Sequence, residues 1–215
     1  MQLYSRAVSP FSARVRVSIA AKALPIRIVD DPAVQSAEYG QLSPLRRVPV
    51  LQLDDGTAIP ESDTIVEFLE DRFPETPLRP VAPEARARVR LITRVAELYV
   101  FPACLPIFGA HASGDHASLA GLFEGLDHAL GNLARVLEEG ESWHAWGPRL
   151  TTADGALAAF LFYAQVVGQL GRREPLARFA RLQRFWHGAQ SQPVLSTVIQ
   201  EMGAGLAGAR AKAGA

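Results

Sequence analysis

Strand signals occupy only the first 60 or so of the 215 residues, and from about residue 83 onward the chain is patterned for helix alone. Residues 2–4 read as a short strand. Ser9-Pro10 opens a helix, because serine favours the N-cap and proline, lacking an N–H, favours the first helical position. Phe11, Val15 and Ile19 recur four apart and predict its buried stripe. Residues 26–29 are a β-branched strand, and 31–42 hold a short, irregular helix. Residues 48–53 form the next strand. Asp54-Asp55-Gly56 then turns the chain as a tight hairpin, and 57–59 return. A helix over 63–72 buries Ile65, Phe68 and Leu69. This order predicts an α/β domain over 1–76 with a mixed four-stranded sheet.

Pro80 and Pro83 mark a linker over 77–83. Helices are predicted over 84–109, 117–139, 152–168, 175–187 and 193–202, giving an all-α domain over 84–215. Pro102 and Pro106 should bend or break the first of these. The third opens on Thr151-Thr152-Ala153-Asp154, a capping box with aspartate in place of glutamate. The glycine- and alanine-rich end, 203–215, is expected to fray.

Composition excludes several classes of function. Hydrophobic residues make up 48% and charged residues 20%, the balance of a well-packed globular protein, and the net charge is zero. No nucleic acid or anionic membrane is therefore expected as a partner. Cys104 is the only cysteine, which forbids an internal disulfide and a cysteine-rich metal cluster and fits a reducing, cytoplasmic setting. No two histidines have metal-ligand spacing, so no metal is expected. Residues 1–6 lack the apolar core of a signal peptide. The uncharged stretches 98–114 and 155–171 are expected to fall short of the ~20 apolar residues of a membrane span. Lysine occurs only at Lys22 and Lys212, a bias that reads as genomic base composition.

Four short segments carry polar chemistry. Val48-Pro49-Val50 places proline at a strand start, where its missing N–H is harmless; only about 5–6% of such X–Pro bonds are cis. Glu61-Ser62-Asp63-Thr64-Ile65 precedes a helix, and helix N-terminal N–H groups with a serine hydroxyl can hold a carboxylate. Arg46-Arg47 is either a solvated basic pair or a planar fork for a carboxylate. Ser9, taken alone, is an N-cap.

Together, these segments on an α/β layer joined to a helical domain resemble the cytosolic glutathione transferases. The fold implied is a thioredoxin-like domain followed by an all-α domain, and the 151–154 box resembles that family's folding motif. Ser9-Pro10-Phe11-Ser12-Ala13-Arg14-Val15 resembles the serine-type members, tau- and zeta-like, and a bacterial member is expected. The resemblance implies that Val48–Pro49 is cis and that the Val48 backbone pairs with the cysteinyl residue of glutathione like an added strand. It implies that Ser62 takes the γ-glutamyl carboxylate and Glu61 its ammonium group. Arg47, with Arg46 as the alternative, would take the glycyl carboxylate. Thr64 fits only loosely the small residue expected two places after the serine.

Ser9 is then the catalytic hydroxyl, with Tyr4 and Ser12 as weaker candidates. A free thiol titrates near ~8.5, and lowering that by about two units requires about 2.7 kcal/mol. A hydroxyl bonded to the charged sulfur contributes ~1.5–3 kcal/mol and a helix N-terminus up to ~2, so one serine suffices. The resemblance further implies glutathione as co-substrate, a homodimer, and an apolar electrophile site between the domains. Phe11, Tyr99, Phe101, Phe108 and His111 are its candidates, with Cys104 on the same helix.

Serine in place of cysteine argues against thiol–disulfide exchange. Pro10-Phe11, where zeta-like isomerases carry serine-cysteine, weakens maleylacetoacetate isomerisation. A binding protein of the same fold, or peroxidase or dehalogenase chemistry, remains the alternative.

Overall fold

Strands β1 (Gln2–Ser5), β2 (Arg27–Asp30), β3 (Val50–Gln52) and β4 (Ala58–Pro60) form one mixed sheet in the order β2-β1-β3-β4. The computed structural model describes residues 1–137 and 142–213. β1 and β2 run parallel, with Leu3 opposite Ile28, while β1–β3 and β3–β4 are antiparallel. A parallel pair needs a crossover, supplied by α1 (Pro10–Ala21). The hairpin between β3 and β4 turns at Gly56, whose φ of 90° suits glycine.

Alternation along the strands decides which residues face which layer. Leu3 and Leu51 pack with Val15 and Ile19 of α1 and with Ile65 and Leu69 of α3 (Ser62–Arg72). Each such buried side chain contributes about 1.5–3 kcal/mol. Tyr4 and Val50 meet Val34 and Tyr39, the latter on α2 (Ala37–Leu42). Phe11 departs from its predicted stripe. It is only half-buried, while Val15 and Ile19 are buried.

By contacts, one unit comprises Met1–Leu78 together with Pro193–Ala215, and the other Arg79–Gln192. The helical unit thus ends at Gln192, whereas periodicity alone carried the helical domain to residue 215. The cause is α9 (Pro193–Ala213), a continuous helix that buries Leu195, Val198 and Met202 and packs on α1. The expected fraying after residue 203 does not occur within the described residues. Gly205 lies directly on the loop before α1, so small residues there serve close packing.

In the second unit, α4 (Pro83–Val95), a π-helical turn (Ala96–Val100) and α5 (Phe101–Ser113) follow one another directly. Of the expected bend or break, no break occurs at Pro102 or Pro106. The π turn falls just before Pro102, which sits in the first turn of α5 where its missing N–H is harmless, while Pro106 lies inside α5. α6 (Leu119–Val136), α7 (Thr152–Leu170) and α8 (Ala180–Ser191) follow. The predicted end of the 117–139 helix lies outside the described residues. The predicted start at 175 is instead a pair of tight turns, Ala177 N–H to Glu174 O and Phe179 N–H to Leu176 O.

Two helices, Pro83–Ser113 and Thr152–Leu170, are long and apolar enough to cross a membrane by length and composition, contrary to expectation for 98–114 and 155–171. The helical segments extend past those uncharged stretches. In the second, 78% of the apolar window is buried inside the protein, as in a core helix.

Candidate functional site

The five residues singled out for glutathione binding line one cavity of about 100 Å³. Arg47, Val48, Pro49, Glu61 and Ser62 share it with Phe11, Ser43, Leu45 and Pro60. Two chain features bring them together. The Val48–Pro49 peptide bond is cis, immediately ahead of β3. Ser62, nearly fully buried, is the first residue of α3, so the cavity meets the positive end of that helix.

Glu61 has a φ of 69°, and Arg46 one of 50°. Non-glycine residues adopt this left-handed region at a cost and cluster at functional sites. Glu61 makes no side-chain cap to α3. The buried Arg14 guanidinium of α1 pairs with Asp63 in the first turn of α3.

The two arginines divide their work. Arg46 Nη1 donates to the carbonyls of Gln35 and Ser36, both at 2.9 Å, and to that of Val34 at 3.4 Å. Its guanidinium also lies against Gly40, where any Cβ would collide with it. Arg47 is exposed and lines the cavity, and its backbone carbonyl accepts the Tyr39 hydroxyl at 2.8 Å. Burial pushes the Tyr39 phenol up to about 12, so it remains a donor at neutral pH.

Ser9 caps α1, its Oγ accepting the Ser12 N–H at 3.2 Å. That bond uses an oxygen lone pair and leaves the hydroxyl proton to donate elsewhere. Ser12 is buried and its Oγ accepts the Arg6 N–H at 3.4 Å, a structural contact. Neither serine is among the residues lining that cavity, and nor is Tyr4. Its hydroxyl donates to Gln52 and accepts from Gln2, and its ring meets Tyr39 edge-on at 5.8 Å. It lines a larger cavity of about 600 Å³ beneath α2, which contains none of the glutathione-site candidates.

The electrophile candidates separate. Phe11 lines the first-unit cavity. In the helical unit, Phe101 and Phe108 both approach the ring of Tyr163 on α7 edge-on, at 5.3 and 5.8 Å. Burial pushes the Tyr163 phenol up to about 12. Sequence reading missed Tyr163, because only the packing of α7 brings it to α5. Tyr99, 57% exposed, and the exposed His111 take no part in these ring contacts. Cys104 is fully buried, its thiol donates to Val100 O, and burial raises it to about 12, so it is inert. No cluster of metal-ligating side chains exists among the described residues.

A thioredoxin-like unit with a cis-proline and a polar helix start lining one cavity, followed by a helical unit, defines the architecture of a glutathione transferase. The family model for the glutathione S-transferase N-terminal domain matches residues 3–77. A maleylacetoacetate isomerase of Dictyostelium discoideum is 31% identical over 172 residues, covering 75% of this chain and 78% of that protein. One from Pseudomonas aeruginosa is 34% identical over 108 residues, 47% of this chain and 51% of that protein. The chain thus spans about half the length of this second relative. A glutathione S-transferase of Methylobacterium radiotolerans, solved in complex with glutathione sulfonate, superposes with a TM-score of 0.75. It is 26% identical, with 92% of this chain and 93% of that one covered. The chain belongs to the glutathione transferase family.

Proposed function

We propose that the protein binds glutathione, holds it as the thiolate and conjugates it to apolar electrophiles. The observation that carries this reading is the convergence of Arg47, Val48, Pro49, Glu61 and Ser62 on one cavity. Ser62 and the α3 N-terminus take the γ-glutamyl carboxylate, Glu61 its ammonium group, and Arg47 the glycyl carboxylate. The Val48 backbone pairs with the cysteinyl residue. The thiol proton leaves to solvent, and the Ser9 hydroxyl donates to the remaining thiolate at the positive end of α1. A sulfur lone pair then forms the bond to carbon as the leaving group departs with its electrons. Phe11, which lines the same cavity, supplies apolar surface to the electrophile. The enzyme works as a homodimer in the cytoplasm.

The test is the thiol pKa of bound glutathione, followed by thiolate absorbance. The wild type should titrate well below ~8.5. Ser9→Ala should return the value toward that of free glutathione and lower kcat about a hundredfold, with Kd nearly unchanged. A wild type with no depression would make the protein a glutathione-binding protein without this chemistry.

Arg47→Ala should raise the glutathione Kd about tenfold or more and spare kcat. Arg46→Ala should instead lower the denaturation midpoint, since three carbonyls lose their donor. A larger Kd effect from Arg46→Ala would reverse the assignment.

A second reading is isomerisation, favoured by the names of the two relatives. The thiolate adds to a cis double bond, the new single bond rotates, and elimination returns glutathione. Phe11 at the cavity, where the isomerase pattern has cysteine, speaks for conjugation. Glutathione consumption in step with product separates the two, because isomerisation consumes none.

A further inference from the structure

We propose that Arg16, braced by Glu201, is a positioning residue for Ser9: it fixes the loop 6–8 that delivers the serine to the start of α1. The inference rests on the reading of Ser9 as the thiolate's partner.

Arg16 lies two turns into α1, and its side chain folds back over the loop preceding its own helix. Nη1 donates to Ser5 Oγ at 2.9 Å and to the Arg6 carbonyl at 3.1 Å, and Nη2 donates to the Ala7 carbonyl at 2.9 Å. The Arg6 carbonyl also accepts the backbone N–H of Ser9 at 3.0 Å. One oxygen therefore joins the Arg16 fork to the Ser9 backbone. A planar guanidinium can hold three acceptors at once, which a lysine ammonium on its flexible stem does less well.

The opposite side of the loop is held as well. Ala7 N–H donates to Asp30 Oδ1 at 3.0 Å, Arg6 N–H to Ser12 Oγ, and Arg6 Nε pairs with Asp31 at 3.1 Å.

α9 closes the arrangement from the end of the chain. Arg16 Nε lies 3.0 Å from Glu201 Oε2, an ion pair in which the Arg16 side chain is 8% and that of Glu201 45% exposed. One turn on, Gly205 sits so close that a Cβ there would stand 2.9 Å from Val8 N and 3.0 Å from the Ala7 Cβ. Burying a guanidinium is costly. Desolvation pulls the Arg16 pKa down, and Glu201 and Asp30 pull it back up. An apolar residue would fill this interior position without that cost. The arginine is explained by the carbonyls it holds at the loop.

The experiment reads the thiol pKa of bound glutathione, kcat and Kd in the full chain. Arg16→Met should raise the bound-thiol pKa by about one unit and lower kcat about tenfold or more, with Kd within a few-fold of wild type. Because Arg16 acts through Ser9, Arg16→Met added to Ser9→Ala should shift the pKa no further than Ser9→Ala alone. A merely structural role lowers the denaturation midpoint and leaves the pKa of the folded protein where it was.

Should Arg16→Met fail to fold, Gly205→Ala and Glu201→Gln decide on the same readouts. Gly205→Ala presses on Val8 without touching Arg16 and should give the larger shift. Wild-type thiol pKa and kcat in the folded Arg16 variant, or in both α9 variants, overturn the proposal, as does an additive shift in the double variant. A depressed, Ser9-dependent pKa in the wild type keeps the catalytic reading intact in those cases. Its absence removes that reading, and the positioning role falls with it.

Discussion

Replacing Asp154 by alanine is expected to destabilise the protein by about 3–5 kcal/mol, read as a fall in the urea midpoint. Asp154 is fully buried at the third position of α7. Its Oδ2 accepts the Thr151 N–H and the Thr151 hydroxyl, both at 2.7 Å, and its Oδ1 accepts the Ala145 N–H at 2.7 Å. Burial pushes this carboxyl above the usual carboxylate range, and the three hydrogen bonds oppose the rise. Alanine would leave three buried donors without an acceptor, each worth about 1–3 kcal/mol. Asp154→Asn keeps the shape and one acceptor oxygen but turns an NH₂ toward a donor, so an intermediate loss is expected.

The damage should reach the ring cluster between α5 and α7. α7 carries Phe160 and Tyr163, against which Phe101 packs, and its entry is tied by Asp154 to Ala145 in the preceding segment. A loss below about 1 kcal/mol for Asp154→Ala would mean that water reaches those donors, and the box would then be ornamental.

Asp154 also marks where sequence reading succeeds and stops. The serine and threonine caps and the hairpin Asp-Gly were legible because each rests on residues within a few positions of one another. The capping box was legible for that reason, but its third donor, Ala145 N–H, was not, since the intervening segment has no periodic pattern. The cis bond at Val48–Pro49 needed the family resemblance, because composition alone favours trans.

Backbone conformation escaped altogether. Nothing in Arg46 or Glu61 as residue types announces a positive φ, yet these residues flank the cis proline on either side of the β3–β4 hairpin. The return of α9 was equally hidden. A run of glycine and alanine looks like a fraying end until Gly205 is found against Val8. Arg16 was passed over for a related reason: an arginine inside an amphipathic stripe reads as solvated unless the carbonyls it holds are in view.

Lys22 and Glu70 make the second large prediction, through a buried pair. Their side chains are 1% and 3% exposed, and Nζ lies 2.9 Å from Oε1. Lys22, at the end of α1, also donates to the carbonyls of Phe73 and Thr76, each at 2.8 Å, and Glu70 Oε2 accepts the Leu78 N–H at 3.0 Å. One ion pair thereby fastens the segment leaving α3 to the end of α1, where the first stretch of the first unit ends at Leu78. Lys22→Met should cost about 3–5 kcal/mol, because it leaves a carboxylate buried with one donor and two carbonyls with none. Glu70→Leu should cost a similar amount by stranding the ammonium.

The double variant is the informative one. Replacing a whole buried pair by apolar residues is often near neutral, so Lys22→Met with Glu70→Leu should lose less than the two single changes together. Full recovery is not expected, since the Phe73 and Thr76 carbonyls and the Leu78 N–H stay unpaired in every variant lacking these side chains. Strict additivity would show that the two charges do not act on each other, and the pair would then be two separate caps that happen to touch. A coupling of about 1–3 kcal/mol is the expected result. It would make the charge pair, and not the apolar packing of α1 on α3 alone, what holds the segment after α3 in place.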